Sequence, residues 1–373
     1  MDFTRTEAQD DLGQLTRSIT EKLVTSDRLR ALDGAEDRFD DVTWRSLAES
    51  GVLSAALPET VGGSGFGILE QCSVLQELGR TLAAVPYLPS ITLAASALAQ
   101  FGSAEQCDLA RKAALGETIL TVALAEEYND EPARPATRAE PDGAGWVLSG
   151  TKTTVPVATL AARLLIPAST PNGTAVFLID PAAPGVTITR QQVVDLSAEA
   201  IVELDDVRVA ASDLVGTEER GPEIIDWLLT RAAVGISALQ LGTLERALEM
   251  VSDYARERTQ FDRPIGSFQA VAQRLSDAYI DVKGVRLAVT QAAWQLDDGS
   301  ATEASIRTAK FWAADAGHRV AHTVIHVHGG VGLDRDHPVH RYFLAAKHNE
   351  FALGSATDQL RRLGRHLMTT SSA

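Results

Sequence analysis

The sequence predicts an α+β multidomain protein with an N-terminal α-helical domain (1–115), a middle antiparallel β-barrel-like domain (116–215) and a C-terminal four-helix bundle (216–373). Two changes in hydrophobic period mark the divisions, one near residue 118 and one after Gly221. The 373-residue length also exceeds what a single core usually organises. In the first stretch, Leu12, Leu15, Ile19 and Leu23 recur at helical spacing, and Trp44, Leu47 and Val52 begin a second apolar pattern. The glycines of Pro58 to Gly67 then mark a loop. The middle stretch holds short β-branched or alternating runs: Thr118 to Ala125, Gly145 to Gly150, Arg163 to Ala168, Thr174 to Asp180, Gly185 to Arg190 and Ala200 to Val209. Turn residues such as Pro171-Asn172-Gly173 separate them, and nothing of helical length intervenes. After Gly221, Leu241, Leu244, Leu248 and Val251 form a helical stripe, and Ala270 to Leu296 and Ile306 to His328 are long enough for bundle helices. The closing Met-Thr-Thr-Ser-Ser-Ala is expected to fray.

Composition excludes several classes. With 34 Lys+Arg against 50 Asp+Glu, the formal charge of −16 disfavours nucleic acid and anionic membranes as partners. No basic, apolar leader and no run of about 18 apolar residues is expected to form a signal peptide or a spanning helix. Two cysteines, Cys72 and Cys107, provide no disulfide framework and carry no assigned chemistry, which favours a reducing, cytoplasmic setting. The charge is uneven: residues 301–373 hold nine basic and six acidic side chains and all eight histidines. An anionic ligand is therefore expected to draw on the C-terminal third.

Two segments there can carry chemistry. Tyr254 to Asp277 ends one helix, breaks it at Asp262-Arg263-Pro264-Ile265-Gly266 and restarts near Phe268. On the residues alone this is either a helix-loop-helix corner or a place where Arg258 and nearby backbone meet a phosphate. His326 to Phe343 contains Gly329, Gly330 and Gly332, which suit either a helix C-cap or close approach of backbone to a ligand. It is neither a Rossmann turn nor a P-loop, since no strand precedes it and no Gly-Lys-Ser/Thr occurs. His318, His322 and His326, with His328 nearby, could place imidazoles on one face for a metal, the rival reading of a metal hydrolase. Against it, no H-E-x-x-H occurs and apolar Val324, Ile325 and Val327 intervene. Trp227, Trp294 and Trp312 fall on helical stretches and are expected in the core.

R-x-Q-F-x-x-P-I-G-x-F-Q followed about 60 residues later by H-G-G-x-G, together with PETVGGSGFG, resembles the acyl-CoA dehydrogenase family over essentially the whole chain. MDFTRTEAQDDLG, YIDVKG and VIHVHGG are similar to the actinobacterial subunits that act on CoA thioesters of steroid side chains and assemble as unlike pairs. The resemblance implies FAD lying between subunits. Arg258, Gln260 and Phe261 would meet its pyrophosphate and adenine side, Gln269 its ribose, and His326, Gly329 and Gly330 would run along the nucleotide. Family chemistry removes an α proton with a carboxylate and the β hydrogen as hydride to the flavin. Ungapped counts place the two family base positions at Leu353 and Ala232, with Ala233 next, and none of these accepts a proton. The flavin-facing sequences near Val122 to Glu127 and Gly150 to Pro156 also depart from the family pattern. No catalytic residue is therefore assigned. The resemblance implies a heteromeric enzyme whose second acyl-CoA dehydrogenase-like subunit supplies the Glu, with an electron-transfer flavoprotein as acceptor. Alternatives are a self-sufficient homomer with Glu350, or less readily Glu126 or Glu127, as displaced base, and a cofactor-free structural subunit.

Overall fold

The structure, a computed structural model, describes residues 3–370. Seven helices come first: α1 (Glu7–Leu23), α2 (Ser26–Asp33), α3 (Asp41–Glu49), α4 (Val52–Ala55), α5 (Ile68–Thr81), α6 (Ser96–Phe101) and α7 (Ala104–Ala114), with a π-helix at Tyr87–Ala95. Strands β1 (Leu120–Val122), β2 (Arg138–Asp142), β3 (Gly145–Pro156), β4 (Arg163–Thr170), β5 (Gly173–Ile179), β6 (Val186–Gln191) and β7 (Glu199–Ala210) follow. The rest of the chain is α8 (Gly221–Glu257), the small strands β8 (Thr259–Gln260) and β9 (Arg263–Pro264), α9 (Gln269–Asp297), α10 (Glu303–His328), α11 (Val339–Phe351) and α12 (Ala356–Thr370). The α, then β, then α order matches the sequence expectation. Residues 368–370 continue α12 instead of fraying, and Ser371, Ser372 and Ala373 lie outside the described residues.

The chain packs as two compact units that cut across the expected segment boundaries. One comprises residues 29–67 and 84–232. Its seven-stranded sheet runs β1-β4-β2-β3-β7-β6, with β5 also paired to β4. It is mixed, not purely antiparallel, because β4 pairs in parallel with β1 and, at one position, with β2. Leu148, Leu164, Ile166, Phe177, Ile179, Val202 and Val207 alternate inward to form its core. The β3–β7 register shifts twice, between Leu148 and Gly150 and between Lys152 and Val155. Such irregularities re-aim side chains, and the Lys152 side chain between them is fully buried. Gly221 opens α8 where a Cβ would stand 1.7 Å from the Thr174 carbonyl oxygen of β5, so only glycine fits.

The other unit comprises residues 1–28, 68–83 and 233–373. α1 packs on α5, where Arg17 forms a bidentate pair with Glu77 at 2.8 and 2.9 Å. Its buried face is Gln9, Leu12, Gly13, Thr16 and Thr20; Leu15 is exposed and Ile19 and Leu23 are half-buried, so the face is rotated from the expected stripe. α10 packs against α9, α11 and α12. Trp294 and Trp312 are half-buried, as is Trp227, which in the sheet-containing unit meets Phe101 edge-on with ring centroids 5.6 Å apart. The stretch 218–257 is long and apolar enough to cross a membrane by length and composition alone, but most of its apolar part is buried in protein, as suits a core helix.

Candidate functional site

At the end of α8 the Arg258 N–H donates to the Tyr254 carbonyl and the Ile265 N–H to the Arg258 carbonyl, each at 2.8 Å, closing the β8–β9 hairpin. Its two turn residues, Phe261 (φ 54°) and Asp262 (φ 60°), are both left-handed, the geometry of a type I′ hairpin without its usual Asn-Gly. That strain presents Phe261 at 87% exposure, edge-on to Phe268. Arg258, Gln260 and Gln269 are exposed, and the Arg258 guanidinium has no partner among the described residues. Gln269 opens the 29-residue helix α9, whose N-terminus has no side-chain cap, leaving amide donors and the positive dipole end to an incoming anion.

The second segment lies at the end of α10. Gly329 adopts φ 62°, ψ −137°, a region costly for any residue with a Cβ. Cβ atoms built on Gly329 or Gly330 would meet nothing within 4 Å, so both glycines face open space. His326 is exposed beside them, while His328 is buried and stacks on Tyr254 at 4.5 Å between ring centroids, tying the two sequence segments to one place. A free guanidinium, an uncapped helix N-terminus, open glycines and an exposed aromatic ring fit the phosphates and base of a dinucleotide. His318 and His322 have ring centroids 4.4 Å apart, but among the described residues no group of three or more His, Cys, Asp or Glu could hold a metal.

The positions where the sequence leads us to expect a base carry no side chain that can accept a proton. Ala232 and Ala233 are buried. Leu353 sits in a turn held from several sides at φ 59°. There buried Lys310 donates to the carbonyls of Asn349, Glu350 and Gly354 at 3.1 to 3.2 Å, and Gln359 Nε2 donates to the Leu353 carbonyl at 3.0 Å. The alternative Glu350 is buried and paired with Lys347 Nζ at 2.6 Å and His318 Nδ1 at 3.2 Å. Glu126 accepts Lys152 Nζ at 2.7 Å, Thr137 Oγ1 at 2.6 Å, Asn129 Nδ2 at 2.8 Å and the amides of Ala136 and Thr137. Burial works to raise its carboxyl, but Lys152 and these donors outweigh it and hold it at about 2, far too acidic for a base near neutrality. The Glu126–Lys152 pair, the Lys310 cap and the Tyr254–His328 stack were not legible in the sequence, because no local spacing joins their partners.

The arrangement is that of an acyl-CoA dehydrogenase chain. The models of that family's N-terminal and C-terminal domains match residues 6–112 and 219–368, and the chain belongs to the family, a group of flavoprotein oxidoreductases that use FAD. Among individual proteins it is similar to acyl-CoA dehydrogenase FadE27 of Mycobacterium tuberculosis, 52% identical over 99% of this chain and 100% of that one. The crystal structure of the ChsE4-ChsE5 complex from Mycobacterium tuberculosis contains a chain that superposes with a TM-score of 0.94 at 52% identity, covering 99% of each. The steroid acyl-CoA dehydrogenase Tcur3481-Tcur3483 gives 0.93 at 40% identity, covering 98% of this chain and 99% of that one.

Proposed function

We propose that this chain is one subunit of a heteromeric, cytoplasmic acyl-CoA dehydrogenase, inactive without its partner, that introduces an α,β double bond into a steroid side-chain CoA thioester. In this reading Arg258, Gln260, Phe261, Gln269, His326, Gly329 and Gly330 hold the ADP half of FAD. A second acyl-CoA dehydrogenase-like subunit supplies the catalytic Glu, the flavin-ring pocket and most of the substrate pocket, and an electron-transfer flavoprotein removes the electrons. FAD, when bound, would supply the hydride acceptor for the β position. This chain's own task is to bind and orient the nucleotide with a permanent cation and close-approach backbone.

The observation that carries the reading is the Leu353 turn, a backbone built with a buried lysine and glutamine but bearing a side chain that cannot take a proton. Likeness to the ChsE4-ChsE5 complex and to a steroid acyl-CoA dehydrogenase supports the paired assembly and the substrate class. The test is purification of the chain alone and co-expressed with the product of its neighbouring gene. Alone it should neither dehydrogenate a steroid side-chain CoA thioester nor retain stoichiometric flavin; together the two should do both. Glu350→Gln should leave turnover of the complex intact. A flavin-replete, active assembly of this chain alone overturns the reading.

A further inference from the structure

We propose that Tyr254 and His328 form a positioning pair that holds the Arg258 hairpin and the Gly329–Gly330 turn in one fixed relation, so that FAD meets a single preformed surface. The inference rests on the reading of these two segments as the nucleotide site.

The segments leave different helices, and a diphosphate gripped by both requires their spacing to be fixed before it arrives. Tyr254 stands in the last turn of α8, and its carbonyl accepts the Arg258 N–H at 2.8 Å where the chain leaves the helix. His328 is the last residue of α10, and its carbonyl belongs to the peptide that leads into Gly329. The two rings lie nearly parallel, with centroids 4.5 Å apart and planes 24° apart, and Tyr254 Oη stands 3.5 Å from the His328 carbonyl oxygen. A shift of either segment would have to break that stack. The His337 ring, 5.2 Å from His328, adds a further aromatic neighbour.

The imidazole is also an expensive way to fill space. Its Nδ1–H donates to the Val324 carbonyl at 2.8 Å, which leaves Nε2 as a bare acceptor, buried and with no partner among the described residues. A buried polar atom left unmatched is costly, and a leucine of similar reach would leave none. What histidine adds over leucine is a flat face against Tyr254.

The test measures the FAD dissociation constant by flavin fluorescence in the complex with the partner subunit, with the melting temperature of the flavin-free complex alongside. Tyr254→Leu and His328→Leu should each raise Kd about 3- to 10-fold, the range expected of one aromatic pair. The double variant should be no weaker than either single one, because both delete the same contact. Tyr254→Phe and His328→Phe keep the ring faces and should bind within about twofold of the parent. Should a leucine variant fail to fold, the phenylalanine pair decides, since loss of affinity there overturns the proposal. So do leucine variants whose melting temperature falls while Kd stays unchanged, or whose effects on Kd simply add. Arg258→Ala separates the two readings: if it leaves Kd unchanged, the nucleotide site itself is misplaced, whereas if it weakens binding while the leucine variants do not, only the positioning role fails.

Discussion

Lys152 is fully buried, and Glu126, its carboxylate partner, is nearly so. Removing one member of such a pair strands the other charge, which typically costs about 3–5 kcal/mol. Lys152→Met should therefore lower the unfolding free energy measured in urea by that order, whereas exposed Arg208→Met, whose Asp142 partner is half-exposed at 3.6 Å, should change it by less than about 1 kcal/mol. The pair also predicts acid behaviour. The folded Glu126 carboxyl lies near 2 against an ordinary 4.5, so its contribution is fully present above about 4.5 and is lost as pH falls toward about 2. Glu126→Gln should remove that part of the acid limb of a stability–pH curve. Lys310 is also depressed, but for a different reason: burial pushes it down to about 8, against the opposing charges of Glu350 and Asp358. Between about 8 and 10.5 the unfolded chain holds more protons than the folded one, so this residue makes stability rise with pH across that window, by at most about 1.4 kcal/mol per pH unit. Comparing urea midpoints at pH 7.5 and 10 should show that increment in the parent and its loss in Lys310→Met.

Helix contacts in the C-terminal unit depend on glycines that periodicity does not reveal. A Cβ at Gly242 of α8 would stand 1.8 Å from the Gln76 carbonyl oxygen of α5, and one at Gly79 of α5 would stand 2.1 Å from the Leu239 carbonyl oxygen of α8. Backbone cannot rotate away as a side chain can, so Gly242→Ala must push the helices apart and should cost at least about 1–3 kcal/mol by chemical denaturation. Gly364 in the middle of α12 is exposed and a Cβ there meets nothing within 4 Å, so Gly364→Ala should stabilise by up to about 1 kcal/mol through helix propensity alone. The same contrast explains what the sequence could show. Long helices and six of the strands were legible because they carry a clear period. The α1 face was misjudged because Thr16 and Thr20 can be buried cheaply, their hydroxyls donating to the Leu12 and Thr16 carbonyls at 2.8 and 3.0 Å. β2 escaped because Arg138-Ala139-Glu140-Pro141-Asp142 has one buried residue and no apolar alternation. The two segments proposed to hold the nucleotide stand out as motifs, but the stack joining them spans 74 positions and leaves no local signature.

The charge difference between the C-terminal residues and the rest of the chain pointed to the C-terminal third for an anion site, yet it gave no sign of the apolar surface found there. On α9, Tyr279, Ile280 and Leu287 are all exposed, and the seven-residue interval from Ile280 to Leu287 puts those two on one face. Leu360, Leu367 and Met368 on α12 and Phe351 at the end of α11 are exposed as well. Apolar exposure on this scale is unusual for a protein that functions as a monomer. It suits the proposed reading, in which the nucleotide site of this chain would be completed by another chain. If assembly covers the α9 face, Ile280→Glu with Leu287→Glu should separate folding from association. Neither side chain is buried in the isolated chain, so its melting midpoint should move by no more than the equivalent of about 1 kcal/mol. In the presence of the partner, size-exclusion chromatography with light scattering should show the assembly shifted toward single chains, and flavin should be lost in parallel as the shared site opens. Retention of a full-sized, yellow assembly by that double variant would place the partner on another face of this unit.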